Sequence, residues 1–142
     1  MKKIKKFKLK SYTRSSGNLM PINFDKKFPI KVKRIFFISG KKNKIRGEHA
    51  HKKCSQFFFP IFGKLILYIE TPHSKKKIIL DHSSKTAVLV PPKYWCSIKF
   101  IKKNSIMTIN FVINDQPQNN SVIPCKNIST KNTELTLLTS RG

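Results

Sequence analysis

Short apolar runs, alternating or continuous, divide most of the chain into candidate strands. Runs rich in β-branched and aromatic residues lie at 34–39, 55–62, 64–70, 76–80, 86–91, 95–100 and 105–113. The breaks between them are short, and most contain glycine, proline or small polar residues. Short strands at a spacing of roughly 8 to 12 residues, without a long helical period between them, predict an antiparallel sandwich or barrel.

The same pattern suggests where the domain begins and ends. The chain has 142 residues, which is most simply one domain. We expect that domain to cover residues 1–113, with a basic N-terminal arm and a loop at 40–47. Residues 114–142 are polar and rich in Asn, Thr and Ser, and we expect a poorly structured tail or a segment that docks on the domain or on a partner chain.

Composition indicates the location of the protein and the redox state of its cysteines. The apolar runs are far shorter than the roughly 18 residues that a membrane helix needs, so no membrane span is expected. The basic N-terminus has no apolar segment after it, so export is not indicated and a cytoplasmic location is expected. Three cysteines, Cys54, Cys96 and Cys125, form no C-x-x-C pair and are interpreted as reduced thiols.

The formal net charge of +24, from 30 Lys and Arg against 6 Asp and Glu, is extreme for a small domain. Such a field attracts polyanions, including nucleic acid and nucleotide diphosphates. The excess is mostly Lys, accompanied by many Asn and Ile, which favours a compositional origin and leaves a negatively charged ligand or partner open. No aromatic RNA-binding motif, zinc-finger spacing or recognition helix is present, and a nucleic-acid-binding barrel is not the favoured interpretation.

Two of the four histidines, His49 and His51, are separated by one residue. In a strand, residues i and i+2 project from the same face, so both imidazoles would lie side by side. Metal binding needs three or four ligands, whereas Gln56 is a poor ligand and Glu48 would point away in a regular strand. We therefore expect no metal. Proton transfer near neutral pH and an ordinary structural role remain open for the histidines.

The residues around the histidines resemble a known enzyme family. The sequence R-G-E-H-A-H-K-K at 46–53 is followed by Gln56, preceded by F-P-I-K-V-K-R-I-F-F-I at 28–38, and accompanied by V-P-P-K-Y-W at 90–95. It is similar to the sugar 3,4-ketoisomerases, the WxcM-like cupins. The resemblance implies an all-β, cupin-like double-stranded β-helix, a jelly-roll barrel, forming a single domain.

The function implied by the resemblance is isomerisation of a dTDP-linked 4-keto-6-deoxy sugar to the 3-keto sugar through an enediolate, in deoxysugar and surface-polysaccharide biosynthesis. No metal or organic cofactor is implied, and the expected assembly is a cytoplasmic homodimer with exchanged N-terminal strands. His49 matches the principal catalytic histidine, the base, and His51 matches a second proton-transfer or positioning group. Substrate-binding positions would be Arg46, Gln56, Arg34 and Trp95.

Three of these four residues also have a non-functional interpretation. Arg46 would be a loop arginine in solvent, Gln56 would make a structural hydrogen bond, and Trp95 would be a core residue. The role of Arg34 is open. One departure bears on activity. Phe36 stands where the family has a tyrosine that takes part in proton transfer, and phenylalanine offers no proton. The second functional hypothesis is therefore a non-catalytic cupin that binds a sugar nucleotide or a protein partner.

Overall fold

Two antiparallel β-sheets form the body of the protein. The computed structural model describes residues 2–103, 106–113, 121–124 and 136–137, and beyond Lys103 it describes backbone pairing only. The elements are β1 (Lys5–Lys8), β2 (Tyr12–Arg14), β3 (Gly17–Leu19), β4 (Arg34–Ser39), β5 (Ile45–His51), β6 (Cys54–Phe62), β7 (Lys64–Thr71), β8 (Ser74–Asp81), a 3-10 turn (His82–Ser84), β9 (Thr86–Val90), β10 (Trp95–Phe100), β11 (Ile106–Ile113), β12 (Ser121–Pro124) and β13 (Thr136–Leu137).

From β4 to β12, successive strands lie in alternate sheets, as in a jelly roll, except that β7 and β8 form a hairpin within one sheet. One sheet has the order β1-β9-β6-β11-β4 and the other has the order β13-β12-β5-β10-β7-β8, while β2 and β3 form a separate hairpin. Every described strand pair is antiparallel. The predicted all-β, jelly-roll architecture is confirmed.

The inner faces of the two sheets share one apolar core, and we call the space between these faces the lumen. The period of two along each strand sends alternate side chains into it. The five-stranded sheet supplies Cys54, Phe58, Val88 and Val90, and the six-stranded sheet supplies Leu65, Leu67, Ile69, Leu80, Cys96, Ile98 and Phe100. All of these side chains are at most 4% exposed.

The outer face of the five-stranded sheet is also covered. Phe57, Phe59, Ala87 and Leu89 pack against Phe7, Leu9, Met20, Ile22, Phe28 and Ile30 from the N-terminal part of the chain. The ring of Phe57 lies 5.8 Å from that of Phe7 and 5.0 Å from that of Phe28. Strand β6 is thus buried on both faces, which explains why its sequence is a continuous apolar run rather than an alternating one.

Two elements differ from the sequence-based expectations. Strand β1 lies inside the Lys-rich arm, where Phe7 is the one large apolar residue of the strand and too weak a signal to mark it. Strand β5 begins at Ile45, within the segment predicted to be a loop, because Ile45 and Arg46 pair with Lys99 and Ile98 of β10 before the register shifts.

The expectation for the C-terminal segment falls largely outside the described residues. Residues 114–120, 125–135 and 138–142 are not described, and the strand assignments of β12 and β13 concern the backbone alone. Strand β12 pairs with β5 opposite the histidines, through Val122, Ile123 and Pro124. Among the described residues no helix is long and apolar enough to cross a membrane.

We predict that Gly40→Ala destabilises the fold. A Cβ at this position would lie 2.2 Å from Cδ2 and Cε2 of the fully buried Phe100 ring, and overpacking of this kind costs about 1 to 3 kcal/mol. Urea denaturation should show this loss, and Phe100→Leu in the same chain should recover part of it. If the double variant loses the plain sum of the two single losses, the proposed close packing is absent.

Candidate active site

His49 and His51 meet through their ring nitrogens. Their Nε2 atoms are 3.2 Å apart, and the ring centroids are 4.9 Å apart with the planes at 82°. The two rings lie next to each other because residues i and i+2 of β5 project from the same face, as predicted from the sequence. Because two neutral imidazoles in this contact can share only one hydrogen, one Nε2 donates and the other accepts. We call these two residues the histidine pair.

The surroundings of the pair favour uncharged imidazoles. His51 is 3% exposed, and burial, followed by repulsion from His49, lowers its pKa to about 3. Burial also lowers the pKa of His49, opposed by a backbone hydrogen bond from its ring to Gly47. A histidine that is neutral at physiological pH can act as a proton acceptor.

The strand register places the pair on the luminal face of the six-stranded sheet. His49 lies opposite Cys96 on β10, and Cys96 lies opposite Ile69 on β7. Both neighbours belong to the luminal core. The carbonyl of His51 accepts a hydrogen bond of 2.6 Å from the backbone N–H of Lys93, which ties the end of β5 to the turn before β10.

The five-stranded sheet brings two of the predicted site residues to the same lumen. Gln56 is 4% exposed and alternates with the core residues Cys54 and Phe58 on β6. Arg34 shares the inner face of β4 with Phe36, and its guanidinium carbon lies 4.2 Å from the centroid of that ring. Backbone pairing through β11 puts Arg34 and Gln56 at the same level of the sheet.

Arg46 lies on β5 beside an open groove. The groove has a volume of about 480 Å³ and is lined by Gly40, Lys41, Lys44, Ile45, Arg46 and Gly47, and we call it the basic groove. Arg46 pairs with Ile98, two residues along β10 from the partner of His49. Arg46 therefore lies in a strand rather than in the predicted loop, its side chain is exposed as in the alternative interpretation, and its cationic groove is lined by the residues that precede the histidine pair on β5.

The side chain of Trp95 points to the face of the sheet opposite to that of the histidine pair. It lies opposite Ala50 and Glu70, whereas the next residue, Cys96, lies opposite His49. Its side chain therefore projects from the face of the six-stranded sheet opposite to the lumen, where it is 7% exposed. Strand register thus puts His49, His51, Gln56, Arg34 and the exposed Arg46 on the luminal faces of the two sheets, whereas Trp95 projects from the opposite face.

The contact between Gly47 and His49 was not predicted from the sequence. This glycine has a φ of +99°, and its carbonyl oxygen accepts from Nδ1 of His49. A glycine inside a strand pattern is itself a signal of a bulge or a close backbone approach. In the described part of the chain, no group of three or more His, Cys, Asp or Glu is arranged to hold a metal ion.

A double-sheet jelly roll with two luminal histidines defines a cupin-like protein, and comparison with known proteins gives its family. Residues 2–117 match the model of the family described as FdtA: WxcM-like, C-terminal, and the chain belongs to this family. A relative from Aneurinibacillus thermoaerophilus, TDP-4-oxo-6-deoxy-alpha-D-glucose-3,4-oxoisomerase, is 28% identical over 96 residues, which are 67% of this chain and 68% of that protein.

Solved structures of ketoisomerases have the same fold. QdtA from Thermoanaerobacterium thermosaccharolyticum, a sugar 3,4-ketoisomerase in complex with TDP, superposes with a TM-score of 0.72 at 22% identity, over 80% of this chain and 82% of QdtA. A 3,4-ketoisomerase from Helicobacter canadensis superposes with a TM-score of 0.74 at 21% identity, over 84% of this chain and 89% of the other.

We predict a pH dependence of stability that arises from His51. Its folded pKa of about 3 lies below the unfolded value of 6.5, so the unfolded chain binds the proton first as the pH falls. The free energy of unfolding should be fully retained above pH 6.5 and should fall by about 1 kcal/mol from pH 6 to pH 5 through this group.

Urea denaturation at pH 7, 6 and 5 measures this effect, with His51→Gln expected to show a shallower loss. His73→Gln is the matched control, because His73 is exposed in the turn between β7 and β8. Equal pH slopes for the wild type and His51→Gln would contradict the prediction.

Proposed function

We propose that this protein isomerises a dTDP-linked 4-keto-6-deoxy sugar to the corresponding 3-keto sugar. The observation that carries the proposal is the histidine pair, with Nε2 atoms 3.2 Å apart, on the luminal face of a strand whose first residues line a basic groove. Family membership supports it, as do the relative named a 3,4-oxoisomerase and the ketoisomerase structure solved with TDP.

The reaction needs one base and one acid. The proton on C3 is acidic because the neighbouring C4 carries the ketone, and His49 removes it to leave an enediolate across C3 and C4. A proton is then delivered to C4, the C3 hydroxyl gives up its proton to become the ketone, and the C4 oxygen is protonated. Atoms and charge balance without an external oxidant or reductant, so this reaction scheme needs no redox cofactor.

His51 is the proposed second proton-transfer group. It lies within hydrogen-bond reach of His49, so once substrate replaces that contact its ring can address an oxygen of the enediolate. Phe36 lies on the inner face of the opposite sheet and cannot donate a proton, which leaves this task to His51 or to water. Gln56 is proposed to hold a sugar hydroxyl, and Arg34 to approach the substrate from the same sheet.

The diphosphate is proposed to bind in the basic groove. Arg46 can contact phosphate oxygens at two points, and Lys41 and Lys44 add positive charge along the same wall. The sugar is then proposed to lie toward the histidine pair and the nucleotide toward solvent. The proposal further includes a cytoplasmic homodimer acting in deoxysugar and surface-polysaccharide biosynthesis, as the resemblance implies.

A non-catalytic sugar-nucleotide binder is the second candidate, and Phe36 is the observation that favours it. The two candidates differ in turnover but share nucleotide binding. Binding of TDP without turnover would therefore select the binder, and turnover would select the enzyme.

We predict that purified protein converts dTDP-4-keto-6-deoxyglucose to its 3-keto isomer, as followed by ¹H NMR. His49→Gln should lower kcat by about 10² to 10⁴, because it removes the base while keeping a neutral side chain of similar length. Phe36→Tyr should not lower kcat. Turnover by Phe36→Tyr alone would identify an eroded enzyme, and equal turnover by the wild type and His49→Gln would exclude His49 as the base.

We predict that Arg46→Gln weakens binding of TDP by about tenfold, because a charge-assisted contact to phosphate is lost. Calorimetry at fixed ionic strength measures the dissociation constant. The matched control is Lys76→Gln, which removes an exposed cation from β8, away from the groove. Equal weakening by both substitutions would attribute the binding to the overall charge of the protein rather than to the groove.

A further inference from the structure

Strand β5 contains a bulge directly before the histidine pair. Its register with β10 shifts between Cys96 and Ile98, so that Gly47 and Glu48 together stand opposite the single residue Ser97. Gly47 has a φ of +99° and Glu48 a φ of +44°, both in the left-handed half of the backbone map. We call these two residues the β5 bulge. Bulges of this kind bend a strand and re-aim its side chains.

The β5 bulge changes which face Arg46 occupies. In a regular strand, residues 46 and 49 would project from opposite faces, because their separation is odd. The extra residue removes this difference. Arg46 lies opposite Ile98 and His49 lies opposite Cys96, and these two residues of β10 share the luminal face. Arg46 and His49 consequently share a face as well.

The β5 bulge also directs a carbonyl group at the histidine pair. The carbonyl of Gly47 faces Nδ1 of His49, and since a carbonyl only accepts, Nδ1 of His49 must carry the hydrogen. A neutral imidazole has one N–H, so Nε2 of His49 holds a lone pair. Nε2 of His51, 3.2 Å away, must then be the donor of the contact between the rings.

We propose that the β5 bulge is the positioning element of the site, and that Gly47 fixes His49 as the Nδ1–H tautomer and His51 as the Nε2–H tautomer. Gly47 is a positioning residue, because it acts on the reaction through His49. The lone pair of the proposed base is thereby directed toward the neighbouring ring and the substrate space rather than toward the backbone. The consequence for turnover rests on the proposed function, whereas the tautomers do not.

Glycine is needed at this position for two reasons. Its φ of +99° strains any side chain, and a Cβ would lie 3.3 Å from the carbonyl oxygen of Cys96. Gly47→Ala should therefore move the carbonyl that holds His49. Gly63 offers a matched control, since it has a φ of +82° and its carbonyl lies 3.2 Å from Nδ1 of His82, in the turn between β6 and β7.

The direct test is imidazole ¹⁵N NMR of the full-length, histidine-labelled protein without ligand at pH 7.5. His49→Gln and His51→Gln assign the signals. The expected result is a protonated Nδ1 and an unprotonated Nε2 for His49, with the reverse for His51. A His49 ring that carries its hydrogen on Nε2, or that exchanges between both forms, would overturn the proposal. This measurement needs no bulge variant to fold and no substrate.

The second test compares Gly47→Ala with Gly63→Ala. In Gly47→Ala, the His49 ring should lose its single tautomer, and kcat should fall about 10- to 100-fold with KM changed much less. In Gly63→Ala, the signals of the pair and kcat should match the wild type. Unchanged His49 signals in a folded Gly47→Ala protein would contradict the role of this carbonyl. The expected tautomers in a protein without turnover would instead count against the proposed function alone.

Discussion

The contact between Nε2 of His49 and Nε2 of His51, at 3.2 Å, is the constraint on which the site depends. Two ring nitrogens at this distance hold one hydrogen between them. A second proton would place two donors against each other at a position where His51 has almost no access to water. The pair must therefore be neutral and asymmetric, with one ring that donates a hydrogen bond and one that accepts it. An isomerisation through an enediolate requires one proton donor and one proton acceptor.

The fold satisfies this constraint with rigid elements. Strand β5 is paired with β10 on one side and with β12 on the other, so the backbone that carries the pair is held from both edges. The lumen below is filled by large side chains, among them Phe58 and Leu67. The N-terminal segment covers the other face of the five-stranded sheet, so that β6 contributes both to the lumen, through Gln56, and to the outer packing, through Phe57.

The sequence predicted the features that follow from a regular period. From β4 to β11, every strand except β5 was placed nearly correctly, and the side-by-side histidines followed from the period of two. Features that depend on breaking the period could not be predicted. The face of Arg46 depends on the β5 bulge, for which Gly47 was the one signal. Gln56 lies in a strand that is buried on both sides, and its pattern cannot tell which face is the lumen.

The motif around Trp95 suggested a substrate-binding position, but a motif does not specify the face of a strand. Cys96, and not Trp95, shares the face of His49. The choice between enzyme and binder depends on Phe36, because the resemblance implies a tyrosine at this position. In this site a hydroxyl is absent from residue 36, and the second histidine stands within reach of the first. Turnover in this site therefore requires that the histidine pair, with water, supports the exchange of protons.

The most direct test is deuterium incorporation into dTDP-4-keto-6-deoxyglucose incubated with the protein in D₂O, followed by NMR at each carbon. If His49 is the base, the C3 proton signal should be lost and deuterium should appear at C4 of the 3-keto product. The His49→Gln variant should show neither the loss nor the deuterium. Binding of the sugar nucleotide with no exchange at C3 by the wild-type protein would contradict it.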